Sequence, residues 1–202
     1  MLILTIVGGR WFAALVVVVG GLAIWELGGL LRRAGLSPVA TVAWIAGGCA
    51  YVGAPLLAGI LLRERPDGLG WTLAILAATW ACDTAAFLVG RAWGRHPLAA
   101  VSPGKTKEGS IAGLIAAALV GSVASGLLAQ PLPRTLVLGL IVGAGAIVGD
   151  LAESAIKRRL GAKDSGWLVP GHGGVLDRID SLLLAVFLGY WYVTLTEGAL
   201  PA

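Results

Sequence analysis

Between Ser154 and Asp180 a largely apolar chain gathers Lys157, Arg158, Arg159, Lys163 and Arg178 beside Asp164, Asp177 and Asp180. Just upstream, Asp150, Glu153, Ser154 and Lys157 recur at i, i+3, i+4 and i+7, so on a helix they share one face. Asp177 and Asp180, at i and i+3, share another. Two such faces brought together offer several carboxylate oxygens to a hard cation. Mg²⁺ takes oxygen ligands and keeps waters and substrate phosphates in its shell. The alternative is that these acids pair with Arg158, Arg159 or Arg178 as structural ion pairs. Pro170-Gly171-His172-Gly173-Gly174 leaves the backbone free to approach a ligand or to form a nest of N–H groups. His172 in that loop suits phosphate or backbone contact better than metal ligation. The combination fits a phosphorylated, metal-bound substrate held at a membrane surface.

A second polar loop reads Ser102-Pro103-Gly104-Lys105-Thr106-Lys107-Glu108-Gly109. Its Gly104-Lys105-Thr106 has the look of a P-loop end, but Ala99 stands where that motif needs glycine, and no strand is expected before it. The expectation is a short turn opening a helix near Ser110. Free N–H groups at that helix start, with Lys105 and Thr106, make an anion site. A basic loop touching anionic lipid headgroups is the competing reading. His96, beside Pro97 in the same basic region, reads as solvated.

The elements that must position these residues follow from composition. The chain has 202 residues, 57% hydrophobic and only 13% charged, with mean hydropathy +0.88. Soluble domains run about 25% charged, so the chain is expected to be an integral membrane protein, one domain over 1–202. Many of its 31 glycines lie inside apolar runs, which suits close helix packing in lipid. Cys49 and Cys82 read as two separate buried thiols. With neither a basic n-region nor a small-residue cleavage site, no removable signal peptide is expected.

Charge-poor runs long enough to span fall near 11–31, 38–62, 71–90, 110–129, 135–156 and 180–196. The second has a candidate break near Pro55, and the last is short enough to need its neighbours. Residues 1–9 are apolar but too few to cross. The fold expected is all-α and polytopic, a bundle of about six transmembrane helices with polar cytoplasmic loops. Loops 32–37, 91–109 and 157–179 then share one side and carry eleven of the fifteen Lys and Arg residues. Positive-inside bias puts that side in the cytoplasm and both termini outside. Trp11, Trp71, Trp93, Trp167 and Trp191 lie near predicted interfaces, as aromatic belts do. Glu26, Asp83 and Asp150 precede Arg32, Arg91 and Lys157 by six to eight residues, or roughly 10 Å of helix. These acids, with Glu153, Asp177 and Asp180, therefore gather in the cytoplasmic part of the bundle, where ionisable residues are costly and usually functional.

The run Ser154-x₂-Lys157-Arg158-x₄-Lys163-Asp164-x-Gly166-x₃-Pro170-Gly171-His172-Gly173-Gly174-x₂-Asp177-Arg178-x-Asp180 resembles the signature of the phosphatidate cytidylyltransferases, also called CDP-diacylglycerol synthases. Gly149-Asp150-Leu151-x-Glu153-Ser154 is similar to that family's lead-in. Asp83-Thr84-Ala85-Ala86-Phe87 with Gly90-Arg91 resembles its earlier helix motif, and Ser102-Pro103-x-Lys105-Thr106-x-Glu108-Gly109 its loop motif. The likeness covers about 80–190, the signature-bearing catalytic part, with Glu26 a counterpart of a family glutamate upstream. Gly104 replaces a usual lysine, Lys107 a usual tryptophan and Phe87 a common tyrosine. The chain is shorter than most members, so fewer N-terminal helices are expected.

The resemblance implies transfer of the cytidylyl group of CTP to phosphatidic acid, giving CDP-diacylglycerol and pyrophosphate for phospholipid synthesis in the cell (inner) membrane. It implies Asp150 and Asp177 as principal Mg²⁺ ligands, with Asp180 a neighbour and Glu153 a weaker one; a second cation would help further. It implies phosphate or substrate contacts from Ser102, Lys105, Thr106, Ser154, Lys157, Arg158, Lys163, His172 and Arg178. The expected catalytic set is Asp150, Lys157, Asp177 and Asp180. Expected partners are CTP, phosphatidic acid and membrane lipid, not nucleic acid, with a homodimer left open. Three other readings stand beside it: CTP chemistry on another lipid (CDP-archaeol synthesis or a polyprenol kinase), a cation transporter using intramembrane carboxylates, and an inactive relative that binds lipid or scaffolds.

Overall fold

The computed structural model describes residues 2–166, 168 and 173–197. Trp167, Pro170, Gly171 and His172 lie outside the described residues. Among the described residues, six helices are long and apolar enough to cross a membrane: α2 (Gly9–Arg33), α3 (Pro38–Arg63), α4 (Gly68–Trp93), α5 (Lys107–Leu128), α6 (Leu132–Arg159) and α7 (Leu176–Glu197). The protein is an all-α polytopic membrane protein. A six-residue helix, α1 (Leu2–Val7), precedes them and stops at Gly8, whose φ is 71°. Arg63 donates to the Thr5 and Ile6 carbonyls at 2.7 and 2.9 Å, which serves the carbonyls that a helix end leaves open. Pro55 does not break α3, which runs through it unbroken. The last span is longer than the apolar run indicates, because Leu176 to Ile179 form its first turn.

Helices α4, α5, α6 and α7 pack in sequence, and the α2–α3 pair joins them through α7. Apolar burial does not drive helices together inside lipid, so close packing of small residues carries the association. Helix α6 supplies it. A Cβ on Gly145 would lie 3.0 Å from Ala185 Cα, and one on Gly149 would lie 2.7 Å from the Asp180 carbonyl oxygen. With no side chain at these two positions, α7 lies directly against α6, and Asp150 and Asp180 come to one cleft.

Two short strands, β1 (Pro97–Ala99) and β2 (Ser102–Thr106), pair antiparallel between α4 and α5. This corrects the expected turn: residues 97–106 form a hairpin, and α5 starts at Lys107, ahead of Ser110. Thr106 is the cap, its Oγ1 accepting the Gly109 N–H at 3.1 Å. His96 is not simply solvated, since its Nδ1 lies 2.5 Å from Glu108 Oε1, and Glu108 Oε2 also accepts the Arg95 and His96 N–H groups.

Trp71 is another correction. It is 2% exposed in the core, with the Arg134 guanidinium 5.1 Å above its ring, and does not sit in an interfacial belt. Trp11, Trp93 and Trp191 are exposed, as belts require. The two cysteines are unpaired, but only Cys82 is buried; Cys49 faces outward. Arg134 ties α6 to α7 at the end away from the acids. It donates to Gln130 Oε1 at 2.6 Å, Thr196 Oγ1 at 3.1 Å and the Val193 carbonyl at 3.3 Å. Hydrogen bonds to a charged group contribute about 1.5–3 kcal/mol each when removal strands a buried partner. Arg134→Met is therefore expected to lower the thermal midpoint of the detergent-solubilised protein by several degrees, read by tryptophan fluorescence, because it leaves three acceptors and the Trp71 face without their cation.

Candidate active site

A cleft of about 610 Å³ opens where α4, α6, α7 and the hairpin meet. Carboxylates from three helices line it: Asp83 from α4, Asp150 from α6, and Asp177 and Asp180 from α7. Cations line it too, with Arg91 at the end of α4, Lys105 on β2 and Arg178 on α7. Lys105 reaches across and forms an ion pair with Asp150 Oδ2. Asp83 accepts the Ser181 hydroxyl at 2.8 Å, which fixes α4 against α7 inside the cleft. Asp180 Oδ1 accepts the Ser181 N–H at 2.7 Å. The hairpin is held over the cleft by its base: a Cβ on Gly90 would lie 3.0 Å from Thr106 Oγ1, and one on Gly94 would lie 2.8 Å from it, so glycines here let Thr106 pack on α4.

Asp177 is tied more tightly than its neighbours. Its Oδ2 accepts the Ser165 N–H at 2.9 Å, the Ser165 hydroxyl at 2.8 Å and the Gly174 N–H at 2.7 Å. Its Oδ1 accepts Lys157 Nζ at 2.5 Å. Lys157 also lies 2.7 Å from Glu153 Oε2, an ionic contact without hydrogen-bond geometry, and Glu153 is fully buried. Lys157 thus stands between two carboxylates and outside the cleft lining. Among the described residues these acids do pair with basic residues, but with Lys105 and Lys157 instead of Arg158, Arg159 or Arg178.

A family model for the cytidylyltransferase family matches residues 36–196. The chain belongs to the cytidylyltransferase family. Among curated relatives of this cytidylyltransferase-family chain, the phosphatidate cytidylyltransferase of Brucella suis is 44% identical over 155 residues, covering 74% of this chain and 56% of the relative. Phosphatidate cytidylyltransferase 5, chloroplastic, of Arabidopsis thaliana is 43% identical over 154 residues, covering 70% of this chain and 39% of the relative. The phosphatidate cytidylyltransferase of a Synechocystis species is 43% identical over 132 residues, 64% and 45% of the two chains. The chain spans about half the length of the curated relatives it matches.

Of the residues expected at a cytidylyltransferase site, the cleft unites Lys105, Thr106, Asp150, Asp177, Arg178 and Asp180. Thr106 does so while capping α5. Ser154 lies beside the cleft, its hydroxyl donating to Asp150 Oδ1 at a long 3.4 Å. Ser102 pairs with Ala99 at the hairpin's far end, and Arg158 donates to the Ala162 carbonyl at 3.1 Å on the exposed end of α6. Neither lines the cleft, nor does Lys163. Ser165 and Ser181 have no role assigned from the sequence, and Glu26 is marked there only as an intramembrane acid and a family counterpart. Ser165 falls at an unspecified position of the signature, between Asp164 and Gly166, and Ser181 follows its last residue, Asp180, so only proximity to those acids marks them. Glu26, 3% exposed on α2, accepts the Val175 and Leu176 N–H groups, each at 2.9 Å.

Among the described residues, no group of three or more His, Cys, Asp or Glu side chains is drawn together in a way that would hold an ion by itself. Mg²⁺ seldom needs such a cage, since one or two carboxylates plus substrate phosphates complete its shell. Asp150 and Asp180, which project from facing helices, provide oxygen donors of that kind. Asp177 already has four donors on its two oxygens.

Proposed function

We propose that this chain transfers the cytidylyl group of CTP to phosphatidic acid with release of pyrophosphate, the activity for which its relatives are named. The observation that carries the reading is the joining, in one cleft, of Asp83, Asp150 and Asp180 to Arg91, Lys105 and Arg178. A lipid phosphate must approach a nucleotide that is already highly anionic, so cations and positioning matter more than a covalent nucleophile. A phosphate monoester has its second pKa near about 6 and is largely dianionic at neutral pH, so its oxygen needs no general base. That oxygen bonds to the α-phosphorus as the bond to the bridging α–β oxygen breaks, and the electron pair leaves with pyrophosphate. Lys105, Arg91 and Arg178 bind the nucleotide phosphates and orient the chain for in-line attack. Asp150 and Asp180 would hold Mg²⁺. The ion supplies neutralisation of charge on the phosphate oxygens.

We place the site on the cytoplasmic face of the inner membrane, where eleven of fifteen basic residues fall on its side. A lipid phosphate at headgroup level and CTP from the cytosol then meet at one opening. An acceptor series tests the reading: the purified protein with CTP and Mg²⁺ is given phosphatidic acid, an isoprenoid-ether phosphate or a polyprenol. Product from phosphatidic acid well above the others is expected, and preference for either of the others would overturn it.

A further inference from the structure

We propose that Glu26 is a positioning residue for this reaction: from α2 it holds the start of α7 and the Ser165 loop in the register that aims Asp177 and Asp180 at the cleft. The inference rests on the reading above and deepens it. A helix start leaves N–H groups without partners and carries partial positive charge, which a carboxylate complements. At α7 both oxygens of Glu26 take that part, Oε1 accepting from Val175 and Oε2 from Leu176. These are backbone donors, so Glu26 fixes the path of the chain itself, one and two residues ahead of Asp177.

The Ser165 hydroxyl links the two carboxylates. It lies 3.2 Å from Glu26 Oε2 and 2.8 Å from Asp177 Oδ2, and with one proton it donates to one of them at a time. Space around Glu26 is as restricted as its bonding. A Cβ on Gly166 would lie 2.5 Å from Glu26 Oε1, and one on Gly174 would lie 2.7 Å from its carboxyl carbon. Two glycines thus let the loop backbone close on Glu26 from both sides. Glu26 is absent from the cleft lining, so it acts through Asp177 and Asp180 and does not touch substrate.

Glu26→Gln tests this, since it keeps the shape but presents an amide donor to one N–H it must accept. In detergent–lipid micelles, kcat is expected to fall about tenfold, as loss of one charge-assisted hydrogen bond implies. KM for CTP should change less than about twofold on the same argument, because the phosphate-binding cations are untouched. Hydrogen exchange at Val175 and Leu176 should quicken while the thermal midpoint stays within a few degrees of wild type. Full kcat, or unchanged exchange at those amides, would overturn the proposal. So would a kcat loss matched by a collapse of the thermal midpoint. If Glu26→Gln is not recovered folded, Ser165→Ala carries the test: a kcat loss of about tenfold at constant KM supports it, by the loss of one charge-assisted bond, and full kcat overturns it. Wild-type protein run alongside keeps the two claims apart, because a wild type inactive on phosphatidic acid counts against the reaction, while faster exchange at Val175 and Leu176 still reads the positioning.

Discussion

Asp150→Asn is expected to lower cytidylyl transfer by about 10²–10³-fold, the scale on which a preorganised charge partner contributes to a transition state. Asp150 projects from α6 into the cleft with its side chain 29% exposed, so asparagine fits without a new buried charge. The partner it leaves, Lys105, is itself 26% exposed and retains access to water. Exposed or half-exposed ion pairs contribute about 0–1 kcal/mol to stability. The fold should therefore persist, with a circular dichroism spectrum and thermal midpoint close to wild type, while labelled CTP no longer enters lipid. Near-normal turnover would remove Asp150 from the reaction.

Lys105→Met is expected to separate two quantities that a simple phosphate-binding lysine would move together. Turnover should fall about 10²-fold, because the nucleotide phosphates lose a charge-assisted partner in a site that is partly shielded from water. Yet Mn²⁺ binding without nucleotide, followed by electron paramagnetic resonance, should tighten about tenfold. Lys105 is paired with Asp150 Oδ2, so a cation entering the cleft must compete with an ammonium for the same carboxylate. Deleting that ammonium frees the oxygen. When CTP arrives, its phosphates offer Lys105 a replacement partner, and the ammonium and the divalent cation no longer compete. Equal or weaker Mn²⁺ binding in the variant would show that Lys105 and the ion do not share Asp150.

The spans were legible because a run of about 20 apolar residues has few other uses. The gathering of acids was legible too, since an intramembrane carboxylate counted back from a basic loop reports its own depth. What was hidden depends on long-range contact. Glu26 and Leu176 are 150 positions apart, and nothing local to Glu26 says that it caps another helix. Lys157 shares a helix face with Glu153 at i, i+4, but its second partner, Asp177, comes from α7. The 97–106 hairpin was obscured by Pro103 and Gly104, residues that strands disfavour. It is stabilised by contacts its own sequence does not advertise, Glu108 on His96 and Thr106 on Gly90 of α4 and Gly94 just past its end. Trp71 looks interfacial by position, but it packs in the core with Leu62, Leu138 and Val193 and under Arg134, 63 residues on.

The position of a label tests the central claim most directly. The purified protein is incubated with phosphatidic acid and Mg²⁺, once with CTP labelled in the α-phosphate and once with CTP labelled in the γ-phosphate. Cytidylyl transfer places the α label in the lipid product and the γ label in pyrophosphate. Appearance of the γ label in lipid, or of neither label with folded protein, would contradict the account.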